Sequence, residues 1–188
     1  MSAIAVDWDK SSIGKGHDFP RLALLGALIR EQVSSGSVLD IGCDNGAFKS
    51  LLGDMQYTGI DARIEAIEAA RSSHPNSSFI CMRAEEWVPD RMFDAVVFNE
   101  SLYYLQDFIA ALEKFHSCLR PGGLLAISIY KHPSWFNPNH KALRQSKQFA
   151  EKMCQIVYDV MISSGNCSWN ILVAQKQPDN HPTARHLY

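Results

Sequence analysis

The chain has 188 residues, 46% of them hydrophobic, which is enough for one domain with a single substantial core. A net charge of −2 and an isoelectric point near 6.4 provide no overall attraction to nucleic acid or to an anionic membrane. The five cysteines show no CxxC pair and no zinc-ligand spacing, which indicates reduced thiols in a cytoplasmic protein. The sequence shows no signal-like layout and no apolar run of about 18 residues, so no membrane partner is expected.

Strand and helix patterns alternate through most of the chain. Residues 1–19 are polar and glycine-dotted and predict a flexible arm, and Pro20 suits the first position of a helix that continues to about Val33. Asp61 and Asp107 are each expected to cap a later helix. Short apolar runs predict strands at residues 38–41, 56–60, 78–82, 93–98 and 124–129. Residues 120–123, ArgProGlyGly, are expected to form a turn.

The last two apolar runs, at residues 156–161 and 169–174, are too close together for a crossover helix. They predict an antiparallel hairpin at one edge of an otherwise parallel sheet. We therefore expect an α/β fold: a doubly wound, seven-stranded, Rossmann-like sheet in a three-layer αβα arrangement. The domain is expected over residues 20–176, followed by a polar tail at 177–188.

The loop after the first strand, within VLDIGCDNGAF at residues 38–48, carries an acid at its centre. A dinucleotide fingerprint reads Gly-x-Gly-x-x-Gly, and here Asp44 and Ala47 stand at its second and third glycine positions. The Asp44 carboxylate would repel a pyrophosphate, whereas S-adenosylmethionine carries a sulfonium and an ammonium. Asp40 either satisfies loop amides or holds the ammonium, directly or through water. Asp61 can accept both ribose hydroxyls while it also caps its helix.

Four segments, VLDIGCDNG, YTGIDA, FDAVVFNESLYYL and LRPGGLLAIS, occur in this order. In order and spacing they resemble the class I S-adenosylmethionine-dependent methyltransferases, over about residues 22–176. The resemblance implies ligand roles for Gly42, Gly46, Asp61 and Asn99. Asp44 departs from the Gly-x-Gly-x-Gly loop of that family by replacing its middle glycine, although aspartate tolerates positive φ better than most residues.

A second departure concerns adenine. Many members read Gly-Asp-Ala after the third strand, where the acid contacts the adenine amine, but this chain reads Met82-Arg83-Ala84. The Ala84 amide and the Glu85 carboxylate are the expected substitutes. Cys43 is also read as a small packed side chain with no sign of an activated thiolate. The full set of expected cofactor-site residues is Asp40, Gly42, Cys43, Asp44, Gly46, Asp61, Ala62, Ala84, Glu85, Asn99 and Arg21.

The N-terminal arm occupies the position of the segment that closes over the cofactor in the family that this chain resembles. Lys15, His17 and Arg21 are therefore candidates to meet the methionine carboxylate of S-adenosylmethionine. Burial of Trp8 against the fold is the alternative reading of this arm.

The methyl acceptor is expected between the arm, the loop after the fourth strand and the residues after the fifth. Methyl transfer is an in-line displacement, so positioning contributes most of the rate and a base contributes less. The leading catalytic candidates are His132, Tyr103, Glu100 and His17, with Tyr104 and His140 as further choices. At least one of the two tyrosines is expected to pack in the core, and a lone loop histidine is commonly solvated. His116 is expected to be exposed and inert.

The segment at residues 130–147, YKHPSWFNPNHKALRQSK, is read as irregular. It predicts either a lid or a dimer contact through Trp135 and Phe136, so both a monomer and a homodimer remain open.

The leading functional reading is a methyltransferase that acts on an oxygen or nitrogen atom of a small molecule, a peptide or a natural product, and releases S-adenosylhomocysteine. The sequence shows neither the motif of base-amine methylation nor a basic stripe, so no nucleic acid partner is expected. No carboxylate cluster suggests a metal. The alternatives are a non-catalytic S-adenosylmethionine-binding scaffold subunit, or another enzyme that uses S-adenosylmethionine, such as a cyclase. A nicotinamide dehydrogenase is the weakest option because of Asp44.

Overall fold

The computed structural model describes residues 18–134 and 137–178. The predictions for Trp8, Lys15, His17, for Trp135 and Phe136, and for the tail from residue 179 onward therefore lie outside the described residues. The helices are α1 (Phe19–Gln32), α2 (Ile64–Ser73), α3 (Phe108–Ser117) and α4 (Pro138–Met153). The strands are β1 (Ser37–Ile41), β2 (Gln56–Asp61), β3 (Ser78–Cys81), β4 (Phe93–Asn99), β5 (Leu119–Tyr130), β6 (Cys154–Ser164) and β7 (Cys167–Lys176). Short 3-10 turns occur at Ala47–Leu51 and Leu102–Tyr104.

The seven strands form one sheet in the order β3-β2-β1-β4-β5-β7-β6. Pairing is parallel from β3 through β5 and antiparallel from β5 to β7 and from β7 to β6. The doubly wound sheet and its antiparallel edge hairpin are thus confirmed. The strand order reverses between β1 and β4, and in such sheets the carboxyl ends beside that reversal form the binding crevice.

Both faces of the central strands β1, β4 and β5 are buried, as the continuous apolar runs predicted. Leu39 of β1 and Phe98 of β4 pack in one core layer with side chains of α3 and α4. Val38 and Val97 belong to the opposite layer, which includes side chains of α1 and α2. Because alternate residues of each strand serve opposite layers, polar groups of the central strands concentrate at the strand ends.

The fourth helix was missed from the sequence. The segment is polar on average, and its buried residues Asn139, Ala142, Ser146, Phe149 and Ala150 include one large apolar side chain, so its helical spacing was overlooked. The usable signal was at its start: the Asn137 side chain accepts from the Asn139 amide at 2.9 Å, and Pro138 follows the cap directly.

Three smaller expectations were also wrong. His116 is buried, because the missed α4 brings Phe149 against its ring at 5.7 Å between centroids. Residues 120–123 lie within β5 as an irregularity in its pairing with β4 rather than as a separate turn. Asp61 does not occupy the N-cap position of α2, which is Arg63 without a side-chain bond, and its carboxylate accepts from the amides of Arg63 and Asp44. Asp107 does cap α3 by accepting from the Ala110 amide at 3.0 Å.

At the amino-terminal edge of the sheet, Asp94 joins three chain segments. One carboxylate oxygen accepts from the Ser37 amide at 2.7 Å, from the Ser37 hydroxyl at 2.9 Å and from Arg120 at 2.9 Å. Burial tends to raise the pKa of Asp94, but the Ser37 hydrogen bonds and the Arg120 charge hold it below its usual value. The ionised carboxylate therefore ties β1, β4 and β5 together.

We expect Asp94→Asn to lower the free energy of unfolding by about 1–3 kcal/mol at pH 7, because charge-assisted bonds to a partly buried group are lost. Urea denaturation measures this change. Since the folded pKa of Asp94 lies below the unfolded value of about 3.9, its contribution is present above that value and is lost as the pH falls through the folded pKa.

Glu113→Gln, which alters an exposed carboxylate on α3, is the matched control and should leave stability within about 0.5 kcal/mol of the wild type. Loss of stability from pH 5 to pH 3 should be smaller in Asp94→Asn than in either the wild type or Glu113→Gln. An equal acid response in all three proteins would contradict the role of Asp94.

Candidate cofactor and acceptor site

The loops after β1 and β4 meet where the strand order reverses. The amides of Gly42 and Cys43 both donate to the Ile60 carbonyl, at 2.8 and 3.0 Å, which lays the first loop on the end of β2. The Ser101 hydroxyl donates to the Ile41 carbonyl and so ties the second loop to the end of β1. A Cβ atom on Gly42, whose φ is 75°, would lie 2.5 Å from the Ser101 Cβ. This close approach requires glycine at position 42.

Asp61 lies at the end of β2 and contacts the glycine loop, which is the loop of residues 42–46 that follows β1. Its Oδ2 accepts from the Asp44 amide at 3.0 Å, and its Oδ1 accepts from the Arg63 amide at 2.9 Å. The Arg63 side chain contacts Asp61 Oδ1 at 3.2 Å and Asp44 Oδ1 at 2.7 Å. Asp44 itself adopts a φ of 48°, which a glycine would take without strain. The acid at the centre of the loop is therefore paired with a guanidinium.

Asp40 is fully buried beneath this loop. Its Oδ2 accepts from the Tyr57 hydroxyl at 2.5 Å, while its Oδ1 has no partner among the described residues. Burial and the nearby Asp61 raise the pKa of Asp40 to about 7, against the opposing effects of the Tyr57 bond and Arg21. Two roles were expected for Asp40: satisfying loop amides or holding the ammonium of the cofactor. Because the amides of Gly42 and Cys43 donate to the Ile60 carbonyl, the structure does not favour the first role.

Arg21 reaches from α1 to the ends of β4 and β5. Its guanidinium donates to Asn99 Oδ1 and, at 3.2 Å, to the Ser128 hydroxyl. The group lies 5.6 Å from the centre of the Trp169 ring, and its Nε is buried with no partner in the described part of the chain. A buried cation is therefore held at the site by side chains that come from three strands.

Glu100 is the carboxylate at the centre of this second group. It accepts from the Tyr103 hydroxyl at 2.9 Å, the Ser128 hydroxyl at 3.0 Å and the Tyr130 amide at 3.0 Å. Burial raises the pKa of Glu100 to about 7, despite the charge of Arg21 and the three hydrogen bonds that lower it. Its φ is 59°, a strained conformation of the kind that clusters at functional sites.

The remaining acceptor candidates lie at the rim. Tyr103 is partly buried against the core, as expected of one of the two tyrosines. The Tyr104 ring is tilted by 50° to that of Tyr103, with 4.6 Å between their centroids, and 63% of Tyr104 is exposed. His132 Nδ1 accepts from the Ser134 amide at 3.0 Å, and its carbonyl contacts His140 Nε2 at 2.9 Å.

The expected adenine residues lie after β3. The carbonyls of Ala84 and Glu85 each accept from Lys114 at 3.0 Å, and the Glu85 carboxylate is 3.7 Å from Arg83. Ala62 is exposed at the start of the loop that leads to α2, and Cys43 is buried. Burial raises the pKa of the Cys43 thiol, in agreement with an unreactive packed side chain.

Sequence reasoning missed the partners of the predicted acids: Tyr57, Arg63, Ser128 and the Tyr130 amide. Arg63, two residues after Asp61, was the only one with a local signal.

Among the residues described, no helix is long and apolar enough to cross a membrane. Within the same ranges, 18–134 and 137–178, no group of three or more His, Cys, Asp or Glu side chains is placed to hold a metal ion.

A methyltransferase domain family matches residues 17–162. Trans-aconitate 2-methyltransferase of Escherichia coli O1:K1 is 30% identical over 130 residues, which is 67% of this chain and 50% of that protein. The chain thus spans about half the length of the curated relatives it matches.

Among solved structures, the N-methyltransferase NodS of Bradyrhizobium japonicum WM9, in complex with S-adenosylhomocysteine, superposes with a TM-score of 0.73 at 20% identity, over 85% of this chain and 87% of NodS. The [4+2]-cyclase SpnF superposes with a TM-score of 0.69 at 17% identity, over 91% of this chain and 86% of SpnF. These two similarities show a shared fold, and the family match covers most of the sequence. The chain belongs to the class I S-adenosylmethionine-dependent methyltransferase family.

Proposed function

We propose that this protein transfers the methyl group of S-adenosylmethionine to an oxygen or nitrogen atom of a small-molecule acceptor. The observation that carries the proposal is the pair of carboxylates, Asp40 and Asp61, at adjacent strand ends beside the glycine loop. A cationic ligand with a ribose matches both of them, and the unpartnered Asp40 Oδ1 is a buried acceptor of the kind that an ammonium would satisfy.

Each part of the cofactor has a candidate partner. Asp61 would accept the ribose hydroxyls, Asp40 the ammonium, and Arg21 with Asn99 would meet the methionine end. The Ala84 amide and Glu85 are the adenine candidates. When bound, S-adenosylmethionine supplies an electrophilic methyl group on its sulfonium. The backbone from Gly42 to Gly46 would approach the ligand closely.

Glu100 is the proposed base. Its hydrogen-bond partners hold the carboxylate in place, and a pKa of about 7 leaves it half ionised at neutral pH, ready to take a proton from an acceptor hydroxyl or ammonium. An acceptor carboxylate is already ionised and would need positioning only. Tyr104, His132 and His140 would line the acceptor side, and His132 is the competing candidate for the base.

The relatives support both acceptor classes. The name trans-aconitate 2-methyltransferase specifies a carboxylate, and NodS is named as an N-methyltransferase. The acceptor screen should therefore contain small carboxylates, phenols and amines. Stoichiometric S-adenosylhomocysteine release would support methyl transfer. Turnover that retains S-adenosylmethionine would instead indicate a cyclase-like enzyme, and binding without any turnover would indicate a scaffold subunit.

The first test is calorimetric titration with S-adenosylmethionine, S-adenosylhomocysteine and NAD. We expect the two adenosyl ligands to bind and NAD not to bind. Asp61→Ala should weaken S-adenosylhomocysteine binding by about tenfold or more, because the ribose loses a charged acceptor. Glu113→Gln is the matched control, with wild-type affinity. Unchanged affinity in Asp61→Ala would reject its proposed role, and NAD binding alone would reject the proposed function.

The second test concerns the base. For an amine or hydroxyl acceptor, Glu100→Gln should lower kcat by about 10²–10⁴-fold while S-adenosylhomocysteine affinity is kept. A base acts when deprotonated, so the wild-type rate should rise with pH through about 7, and the variant should lack that rise. Tyr103→Phe removes a hydrogen bond that lowers the pKa of Glu100, so the rise in rate of this variant should occur at higher pH than in the wild type. If His132→Ala alone removes the rise, the base is His132 instead.

A further inference from the structure

The central acid of the glycine loop has a specific partner in this chain. Asp44 stands where the family loop has glycine, and its carboxylate lies 2.7 Å from the Arg63 guanidinium. Both side chains are about half exposed, at 48% for Asp44 and 51% for Arg63. An isolated surface pair of this kind contributes little to stability, so the other contacts of Arg63 decide its importance.

The other contacts of Arg63 are with Asp61, the residue proposed to bind the ribose. Arg63 Nε lies 3.2 Å from Asp61 Oδ1, and the Arg63 amide donates to the same oxygen at 2.9 Å. Asp61 Oδ2 accepts from the Asp44 amide at 3.0 Å. Asp44 and Asp61 are thus joined twice, once through the backbone of the loop and once through the guanidinium.

The charges explain why the guanidinium is needed. Without Arg63, two carboxylates would face each other across the loop, and their repulsion would turn Asp44 and the loop away from Asp61. The φ of 48° at Asp44 adds to this, because that conformation costs an aspartate more than a glycine, although less than it costs most other residues. A glycine at this position would need no counter-charge.

We propose that Arg63 is a positioning residue for cofactor binding, which clamps the glycine loop to Asp61 and compensates for the carboxylate of Asp44. This inference rests on the proposed binding of an adenosyl ligand. It explains how a loop with an acid in place of its middle glycine can keep the geometry that a nucleoside requires.

The test is a double-mutant cycle in S-adenosylhomocysteine affinity, measured by calorimetry on the full chain. Arg63→Ala should weaken binding by about tenfold. In the Asp44→Gly background the same substitution should weaken it by less than about threefold, because the acid that Arg63 offsets is gone. Arg63→Lys, which keeps the charge but not the forked contact, should fall between the wild type and Arg63→Ala.

Two further readouts separate the clamp from a general structural role. The affinity difference between wild type and Arg63→Ala should shrink as salt is raised from about 0.05 to 0.5 M, because the clamp is partly exposed. Melting of the ligand-free protein should show the same coupling, with a larger loss of Tm for Arg63→Ala in the wild-type background than in Asp44→Gly. Arg30→Ala, an exposed arginine in the last turn of α1, is the matched control and should retain wild-type affinity.

The outcomes are distinct. If Arg63→Ala lowered S-adenosylhomocysteine affinity equally in the wild-type and Asp44→Gly backgrounds, the proposed positioning role would be wrong and Arg63 would be a structural residue. Tighter binding in Arg63→Ala would also overturn it, since the guanidinium would then compete with the ribose for Asp61. If the wild-type protein bound no S-adenosylhomocysteine, the proposed function itself would fail, and the clamp with it.

Discussion

Burial of the central strands on both faces is the constraint on which the rest of the structure depends. Because β1 and β4 are covered by helices above and below, their side chains can be polar only near the strand ends. The reversal of strand order between these two strands then opens a crevice at the carboxyl ends. Asp40 and Asp61 lie near the carboxyl ends of β1 and β2, and Glu100 directly follows β4.

The balance of charge at this edge is acidic. The site contains four acidic residues, Asp40, Asp44, Asp61 and Glu100. Two arginines, Arg21 and Arg63, contact them or lie near them. Burial raises the pKa of Asp40 and of Glu100 to about 7, so both groups can change their charge near neutral pH. Such a site favours a ligand with positive charge, which agrees with membership of a family that uses a sulfonium compound.

The fold does not name the acceptor. A methyltransferase and a cyclase superpose on this chain with similar scores, and the same sheet supports many chemistries. The proposed acceptor side lies at the loop after β4 and the end of β5, where the Tyr104 side chain is exposed. If the acceptor binds there as proposed, its specificity would depend on a few rim residues rather than on the sheet beneath them.

The sequence by itself determined the strands, their alternation with helices, the edge hairpin and the position of Asp61. These features follow from local periodicity, from turn residues and from the rule that parallel strands end on one side of the sheet. The same local reasoning missed α4, because this segment is polar on average and Phe149 is the one large side chain among its buried residues. The burial of His116 was lost with it, since Phe149 of α4 is what covers the ring.

Only the tertiary structure decided which groups hold the acids. Arg21 bonds to Asn99, 78 residues away, and to Ser128, 107 residues away, and no local pattern encodes such pairs. The contact between Asp44 and Arg63 spans 19 residues and two loops, so it depends on how the loop after β1 is laid against the end of β2. The sequence could place carboxylates at the strand ends, but their partners and charge states follow from burial and long-range contact, which exist only once the chain has folded.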